Sequence, residues 1–304
     1  MNFSNLLVYA GPLYVGFIII ELGVSRSLGL KELYNWRDLG ASTLLGIGTA
    51  IIGPLLNVLL IAWLLGMVYE LFNPLVNGVR MNIMGFESFG WAWYFWLICQ
   101  VLDDLSFYWY HRLSHTVRLF WAAHLPHHSS EHYNYGTGIR IGWFVLLYKP
   151  IFYIWLVAIG FHFEMVMICM AIETLYQFQL HTKFVPRLGF LEYIFVTHTQ
   201  HQVHHARNIK YLDKNHGGIL SIYDRLFGTF RELENQNEIE YGVLHPPNSY
   251  NPLIVVSHEF RDIWLDVKNA TSINHAFMYI FGPPGWSHDG SRKTTRQLQN
   301  EQAS

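Results

Sequence analysis

The sequence predicts an all-α, multi-pass transmembrane helical bundle of about five spans, with a cytoplasmic helical cap and a histidine-rich two-metal site. Three observations predict it. Of 304 residues, 51% are hydrophobic and 14% charged, whereas ordinary globular domains carry about 25% charged residues. Mean hydropathy is positive, and five apolar runs approach the roughly 20 residues that a helix needs to cross about 30 Å of hydrocarbon. Histidine is over-used and clustered, with 17 residues against 20 Lys and Arg combined.

The first run, residues 6–24, has no basic residue before it and carries Glu21 near its end. It reads as a retained membrane helix, not a cleaved signal. The second run, 43–70, is long and holds Pro54, which predicts a kink or tilt. The third is 89–110. The fourth, 141–161, is interrupted by Lys149 and Pro150, so it reads as starting in an interfacial stretch. A turn at Gly160–His162 leads to the fifth run, 163–180, which makes a hairpin of the last two.

Basic residues orient these spans. Arg26, Lys31 and Arg37 fall in the first loop, Arg80 alone in the second, and Arg112, Arg118 and Arg140 in the third. The last turn carries none, and the tail beyond residue 180 is rich in them. The N-terminus is therefore expected outside, with the C-terminus and the histidine clusters on the cytoplasmic side of a bacterial inner membrane or a eukaryotic endoplasmic reticulum. Residues 1–232 read as one membrane-embedded catalytic domain with its core at 100–230. Residues 233–304 read as a cytoplasmic extension with an amphipathic helix near 253–270 and a polar, disordered last dozen residues. A net charge of −2 suggests no nucleic-acid partner. Cys99 and Cys169 lie in apolar runs and read as packing residues.

Three clusters carry the chemistry: His111 with His115, then His124, His127 and His128, then His201, His204 and His205. Helical positions i, i+3 and i+4 share a face, so each cluster presents its imidazoles together. Pro126 makes the second cluster look like a helix start. A tetrahedral zinc site takes about four ligands, and these three segments offer more imidazoles than one ion uses. Two ions fit the set better. His181, at the cytoplasmic end of the fifth run, is a further candidate ligand, and His198 another, with a role beside the ligands as its alternative. His132, His162, His216, His245, His258, His275 and His288 are read as non-ligands, although His132 and His216 lie close to the clusters. An isolated histidine is usually a solvated surface residue, but two HxxHH patterns and an HxxxH at one membrane face point to metal. Imidazole admits iron, copper or zinc. No HExxH is present, so a zinc protease is not indicated. A paired-metal site in a bilayer suits O2 activation and C–H oxidation, which side-chain acid–base chemistry cannot perform.

Asp104 shares a helical stripe with Tyr108, His111 and His115. It is expected to orient a ligand imidazole through its N–H, the alternative being a structural hydrogen bond to another span. Gln177 shares a face with Glu173, Thr174 and His181 and is expected to line the site. Glu173 lies deeper and suggests a pairing with Lys149.

These residues resemble the fatty acid hydroxylase / sterol desaturase superfamily. The resemblance lies in the order HxxxH, HxxHH, HxxHH, in the lead-in from Asp104 to His111-Arg112, and in His127-His128-Ser-Ser-Glu131. It continues through Tyr176-Gln177 to His181-Thr182, His204-His205-Ala-Arg207-Asn208, Tyr211-Leu-Asp213-Lys-Asn215, and Asp224-Arg225-Leu-Phe-Gly228-Thr-Phe230. Within the superfamily the chain looks most similar to the bacterial sterol-desaturase-like proteins related to alkylglycerol monooxygenase, a branch that the late Phe281-Gly-Pro-Pro-Gly-Trp286 supports. The resemblance implies two iron ions, O2 as oxidant, and hydroxylation or monooxygenation of a lipid. It also implies a tetrahydropterin or another external reductant. No cytochrome b5 signature is seen, so a separate electron donor is expected. His198 and His216 depart from the family pattern. A lipid desaturase with the same metals is the nearest alternative activity. A non-catalytic membrane metal-binding or transport protein is the alternative of another class, although transport would place ionisable residues through several spans.

Overall fold

The computed structural model describes residues 3–56 and 60–304. It is mostly helical. The main helices are α1 (Phe3–Ser27), α2 (Trp36–Leu56), α3 (Ala62–Phe72), α4 (Trp93–Thr116), α5 (Arg118–His128), α6 (Phe163–Gln179), α7 (His198–His204), α8 (Pro252–Lys268), α9 (Ile273–Phe281) and α10 (Thr295–Ala303). A two-stranded hairpin, Leu75–Val76 with Val79–Arg80, follows α3.

The expected runs at 6–24, 89–110 and 163–180 fall on α1, α4 and α6. The run at 43–70 falls on α2 and α3, and its middle, residues 57–59, lies outside the described residues. The run at 141–161 is not one helix. It is Val145–Tyr148, a 3-10 stretch Lys149–Tyr153, and Ile154–Ala158. Pro150 supplies no N–H for a helical bond, so the chain tightens at that point. Among the described residues, one helical stretch, Lys31–Leu56, is long and apolar enough to cross a membrane; Ala62–Phe72 and Val145–Ala158 are shorter apolar helices.

A tight core joins α3, α4, Ile154–Ala158 and α6 through Leu65, Cys99, Leu156, Phe161, Met165 and Cys169, and both cysteines are free. Gly160, at φ 120°, makes the expected turn, and its carbonyl accepts the Phe89 N–H at 3.0 Å. That turn and the start of α4 therefore share one end of the bundle. The histidines occupy the other, at the C-terminal ends of α4 and α6. The outer faces of α1, α2 and α3 expose Ile19, Ile20, Ile51, Leu55, Trp63 and Leu71. Large apolar side chains exposed on this scale suit contact with lipid or a partner.

The extension holds the expected amphipathic helix, α8, but its end is ordered. Thr294 and Gln297 form a reciprocal cap on α10, and Gln299 donates to the carbonyls of Ile209 and Leu212 at 3.1 and 3.0 Å. Polar composition predicted disorder; the capping box and this docking contact supply what composition does not reveal. Arg118, at the start of α5, ties the extension down by bonding Glu259 at 2.8 Å and Asp266 at 2.6 Å.

Candidate metal centre

α4 delivers His111 and His115 from its last turns. The chain reverses at Val117, and α5 returns His124, His127 and His128 to the same place. Pro126 sits in the last turn of α5, not at its start. It gives no N–H to the preceding turn, and its carbonyl accepts Arg140 Nε at 2.9 Å and the Ser129 hydroxyl at 2.8 Å. α7 brings His201 and His204, with His205 as its C-cap. His181 follows α6.

The nine imidazoles form two adjoining buried groups. His111, His115, His124, His128 and His204 make the first, and His127, His181, His201 and His205 the second; the ligand atoms within each lie within 4.8 Å of one another. The groups meet where the rings of His128 and His205 stack, with centroids 4.2 Å apart.

Backbone carbonyls set the tautomers. His111 Nδ1 donates to the His216 carbonyl at 3.0 Å, His127 Nδ1 to Arg140 at 3.2 Å, His181 Nδ1 to Gln177 at 2.9 Å and His204 Nδ1 to Lys214 at 3.1 Å. A carbonyl only accepts, so each of these Nε2 atoms keeps a bare lone pair. Yet His181 Nε2 and His127 Nε2, both such acceptors, face each other at 3.3 Å. His204 Nε2 and His115 Nε2 are buried with no partner among the described residues. Lone pairs brought together away from water repel unless a cation lies between them. Metal–nitrogen bonds of about 2.0–2.1 Å put neighbouring ligand nitrogens roughly 3.0–3.4 Å apart, and the Nε2–Nε2 contacts are 3.1–3.3 Å. The donor set therefore fits metal ions.

Burial also keeps these rings neutral. It pushes the His204 pKa down to about 3. His127 falls to about 4, again through burial, with the bond to the Arg140 carbonyl opposing the shift and the Arg140 charge adding to it. Neutral imidazole is the form that ligates metal.

His198 is outside both groups. It starts α7, one turn before His201, and its Nδ1 has no partner among the described residues. Replacing His198 by Gln is expected to leave metal content unchanged, as metal analysis of the purified protein would check. Asp104 touches none of the nine rings. Its carboxylate accepts the backbone N–H groups of Ile219 at 2.8 Å and Leu220 at 2.7 Å. Gln177 does not line the site with its side chain either, because its amide donates to the Gly218 carbonyl. Both residues hold a strap, residues 214–220, that Asp224 clamps from the other side by accepting the N–H groups of His216 at 2.7 Å and Gly217 at 2.8 Å. The strap in turn presents the carbonyls of Lys214 and His216 to the rings of His204 and His111. Asp213 and Asn215 adopt φ of 55°, a left-handed conformation that Asp and Asn tolerate best among residues with side chains. The orienting role expected of a carboxylate thus falls to backbone carbonyls, which residue type cannot signal.

Asp104→Asn is therefore expected to turn an amide N–H toward a backbone donor. An unpaired buried donor costs about 1–3 kcal/mol, and the loosened strap should lower metal affinity within the roughly 10–100-fold range of lost outer-layer partners. Metal titration of the variant checks this, and unchanged affinity would return Asp104 to a purely structural role.

Three further neighbours of the site were not among its expected residues, although His216 lies close to the clusters in sequence and Asp213 within the family pattern. Asp213 lies 3.9 Å from His115 Nδ1, and burial pushes its carboxyl up to about 6. His216 is fully buried beside the first group, its centroid 5.0 Å from that of His115. Arg140, 1% exposed, anchors the second cluster. Proximity to the boxes was the available signal for His216; for Arg140 there was none. A cavity of about 310 Å³ opens onto His115, His128 and His204 and is roofed by the extension through Val243, His245 and Arg292.

Residues 96–229 match the fatty acid hydroxylase family model. The chain is 38% identical to alkylglycerol monooxygenase of Homo sapiens over 196 residues, which is 64% of this chain and 43% of the relative. It is 36% identical to that of Xenopus tropicalis over 210 residues, 69% of this chain and 46% of the relative. It is 32% identical to that of Caenorhabditis elegans, over 63% of this chain and 39% of the relative. The match thus spans less than half the length of these curated relatives. No solved structure matches the chain. The segment 96–229, which carries every histidine of the two groups, belongs to the fatty acid hydroxylase family.

Proposed function

We propose that this chain is a membrane-bound lipid hydroxylase that holds two iron ions in its two histidine groups and uses O2 as oxidant. The observation that carries the reading is the pair of adjoining buried groups whose bare Nε2 atoms face one another. The relatives are named for monooxygenation of alkylglycerols, so an ether-linked glycerol lipid is the first substrate to test. When bound, the two ions would supply O2 activation and the electron transfers that C–H oxidation requires.

The chain's own residues do the rest. His111, His115, His124, His128 and His204 would hold one ion, and His127, His181, His201 and His205 the other. The carbonyls of Arg140, Gln177, Lys214 and His216 keep four of these rings in the ligating tautomer. Burial of the nine rings confines the approach of water to the cavity beside His115, His128 and His204. The cavity under the extension admits a polar reactant, such as a lipid headgroup or a reductant of the tetrahydropterin class, while a separate protein or small-molecule donor supplies electrons. Residues 1–232 act as the catalytic domain and 233–304 as its cytoplasmic roof.

Purified protein should contain iron, consume O2 when lipid and reductant are both present, and yield a hydroxylated lipid by mass spectrometry. A product with a new double bond would make it a desaturase, and iron-free protein with no O2 uptake would remove the reading.

The same proposal places five spans in the membrane, with the N-terminus outside and the histidines at the cytoplasmic face. Because the fourth and fifth runs form a hairpin, the positions of the termini do not depend on how deeply it reaches. Cysteines introduced at Ser4 and Ser304 are expected to react with an impermeant label from opposite sides. Labelling of both from one side would refute the odd number of crossings.

A further inference from the structure

Several of the buried polar atoms that no described protein atom satisfies fall on neighbouring segments. Both carboxylate oxygens of Asp103 and of Glu173, both amide atoms of Gln100 and the Tyr153 hydroxyl are buried without a hydrogen-bond partner among the described residues, and so are both ring nitrogens of His216. Gln100 and Asp103 lie one turn apart on α4. Tyr153 packs in the core beside Cys99 and Cys169, the neighbours of Gln100 on α4 and of Glu173 on α6. No Lys149–Glu173 ion pair forms among the described residues; the ammonium rests over the rings of Phe107 and Tyr110 at 5.3 and 5.4 Å. Glu173 then abuts the strap. A β-carbon on Gly218 would fall 1.8 Å from Glu173 Oε1 and 2.6 Å from Asp104 Oδ1, so both carboxylates crowd that glycine. Two residues back stands His216, with its ring centroid 5.0 Å from His115 and 5.7 Å from His204. The 214–220 strap thus carries at one end a glycine against Glu173 and at the other a histidine beside the first histidine group.

An unsatisfied buried polar group costs about 1–3 kcal/mol, and more if charged. Buried water that bridges two to four such groups is the ordinary remedy. Ionisable residues inside membrane bundles commonly mark proton relays.

We propose that these groups form a hydrated proton store and relay, in which water links the carboxyl group of Glu173 to the first histidine group past His216. The inference rests on the oxygenase reading. Hydroxylation follows RH + O2 + 2 e− + 2 H+ → ROH + H2O, with both electrons from the external donor. The cavity under the extension is the aqueous route to His115, His128 and His204, and a bound reactant closes it. One of the two protons enters with the external donor and the other is drawn from within. For the latter, the O–H bond of Glu173 breaks, its proton passes along the water into an O–H bond of the product water, and Lys149 balances the carboxylate left behind. The proton is replaced from the aqueous side once product leaves. Neutral His216 serves the chain with one donor and one acceptor.

The test uses the full-length, iron-loaded protein in lipid nanodiscs. Infrared spectroscopy is expected to show a protonated carboxyl band that shifts in D2O and disappears in Glu173→Gln. Iron content should stay at the wild-type level in that variant. Its turnover per iron should fall by at least about tenfold, in the range that positioned proton transfer contributes, with a larger solvent deuterium isotope effect. Glu173→Asp should restore the band and part of the rate. A Glu173→Gln protein with an unchanged band, or with wild-type turnover and isotope effect per iron, overturns the relay. A wild-type protein with the exchanging, Glu173-dependent band but no lipid turnover supports the store and counts against the oxygenase reading alone.

Discussion

Replacing His128 by Ala is expected to remove O2-dependent lipid oxidation. His128 belongs to the first group, its Nε2 lies 3.1 Å from His124 Nε2, and its ring stacks on His205 of the second. One substitution therefore takes a ligand from one ion and the packing surface from the other. The loss should exceed the roughly 10–100-fold typical of outer-layer partners, because the missing group is a ligand itself. The fold should persist. The main apolar core, around Leu65, Cys99, Leu156 and Met165, shares no residue with the histidine groups. Iron per protein, O2 uptake and helical content would be measured together. A His128→Ala protein with full iron and full activity would remove the two-metal mechanism.

Arg140→Ala is expected to give the largest loss of stability. The Arg140 guanidinium bonds Asp38 at 3.1 Å, Ser42 at 3.3 Å and the Pro126 carbonyl at 2.9 Å. Asp38 is itself buried and also accepts the Ser130 hydroxyl at 2.7 Å. Removing the cation strands a buried carboxylate, a change that typically costs roughly 3–5 kcal/mol. It also unties α2 from the end of α5, where His127 and His128 sit, so metal affinity should fall with stability. Asp38→Asn in the Arg140→Ala background should recover part of the loss, because an amide tolerates burial without a cation. Thermal unfolding in detergent would measure both. An Arg140→Ala protein with wild-type midpoint and iron content would show that this pair is not what seats the second cluster.

What residue type and spacing reveal, the sequence revealed well. HxxxH and HxxHH put imidazoles on one helical face, and this is a local property of the backbone. The helices near 6–24, 89–110, 163–180 and 253–270 were legible for the same reason, since apolar periodicity is written along the chain. The ends and breaks were harder. Pro126 reads equally as a helix start or a last turn. The polar tail looked disordered because composition does not register a capping box or the seat of Gln299 on the 209–212 turn.

By itself, then, the sequence pointed to the three histidine clusters and His181, with His198 still among the candidates, as more imidazoles than one ion needs, carried beside apolar runs. Only the tertiary structure decided how they divide, five in one group and four in the other, with His198 left out. It also decided what aims them. Asp104 was expected to orient a ligand imidazole and Gln177 to line the site, yet their side chains bond the 214–220 strap, and carbonyls of Arg140, Gln177, Lys214 and His216 orient the rings. The physical reason is that every residue carries a carbonyl. Which ones face a ring depends on contacts such as His111 with His216, separated by 105 positions in the chain, and local sequence cannot encode such a meeting.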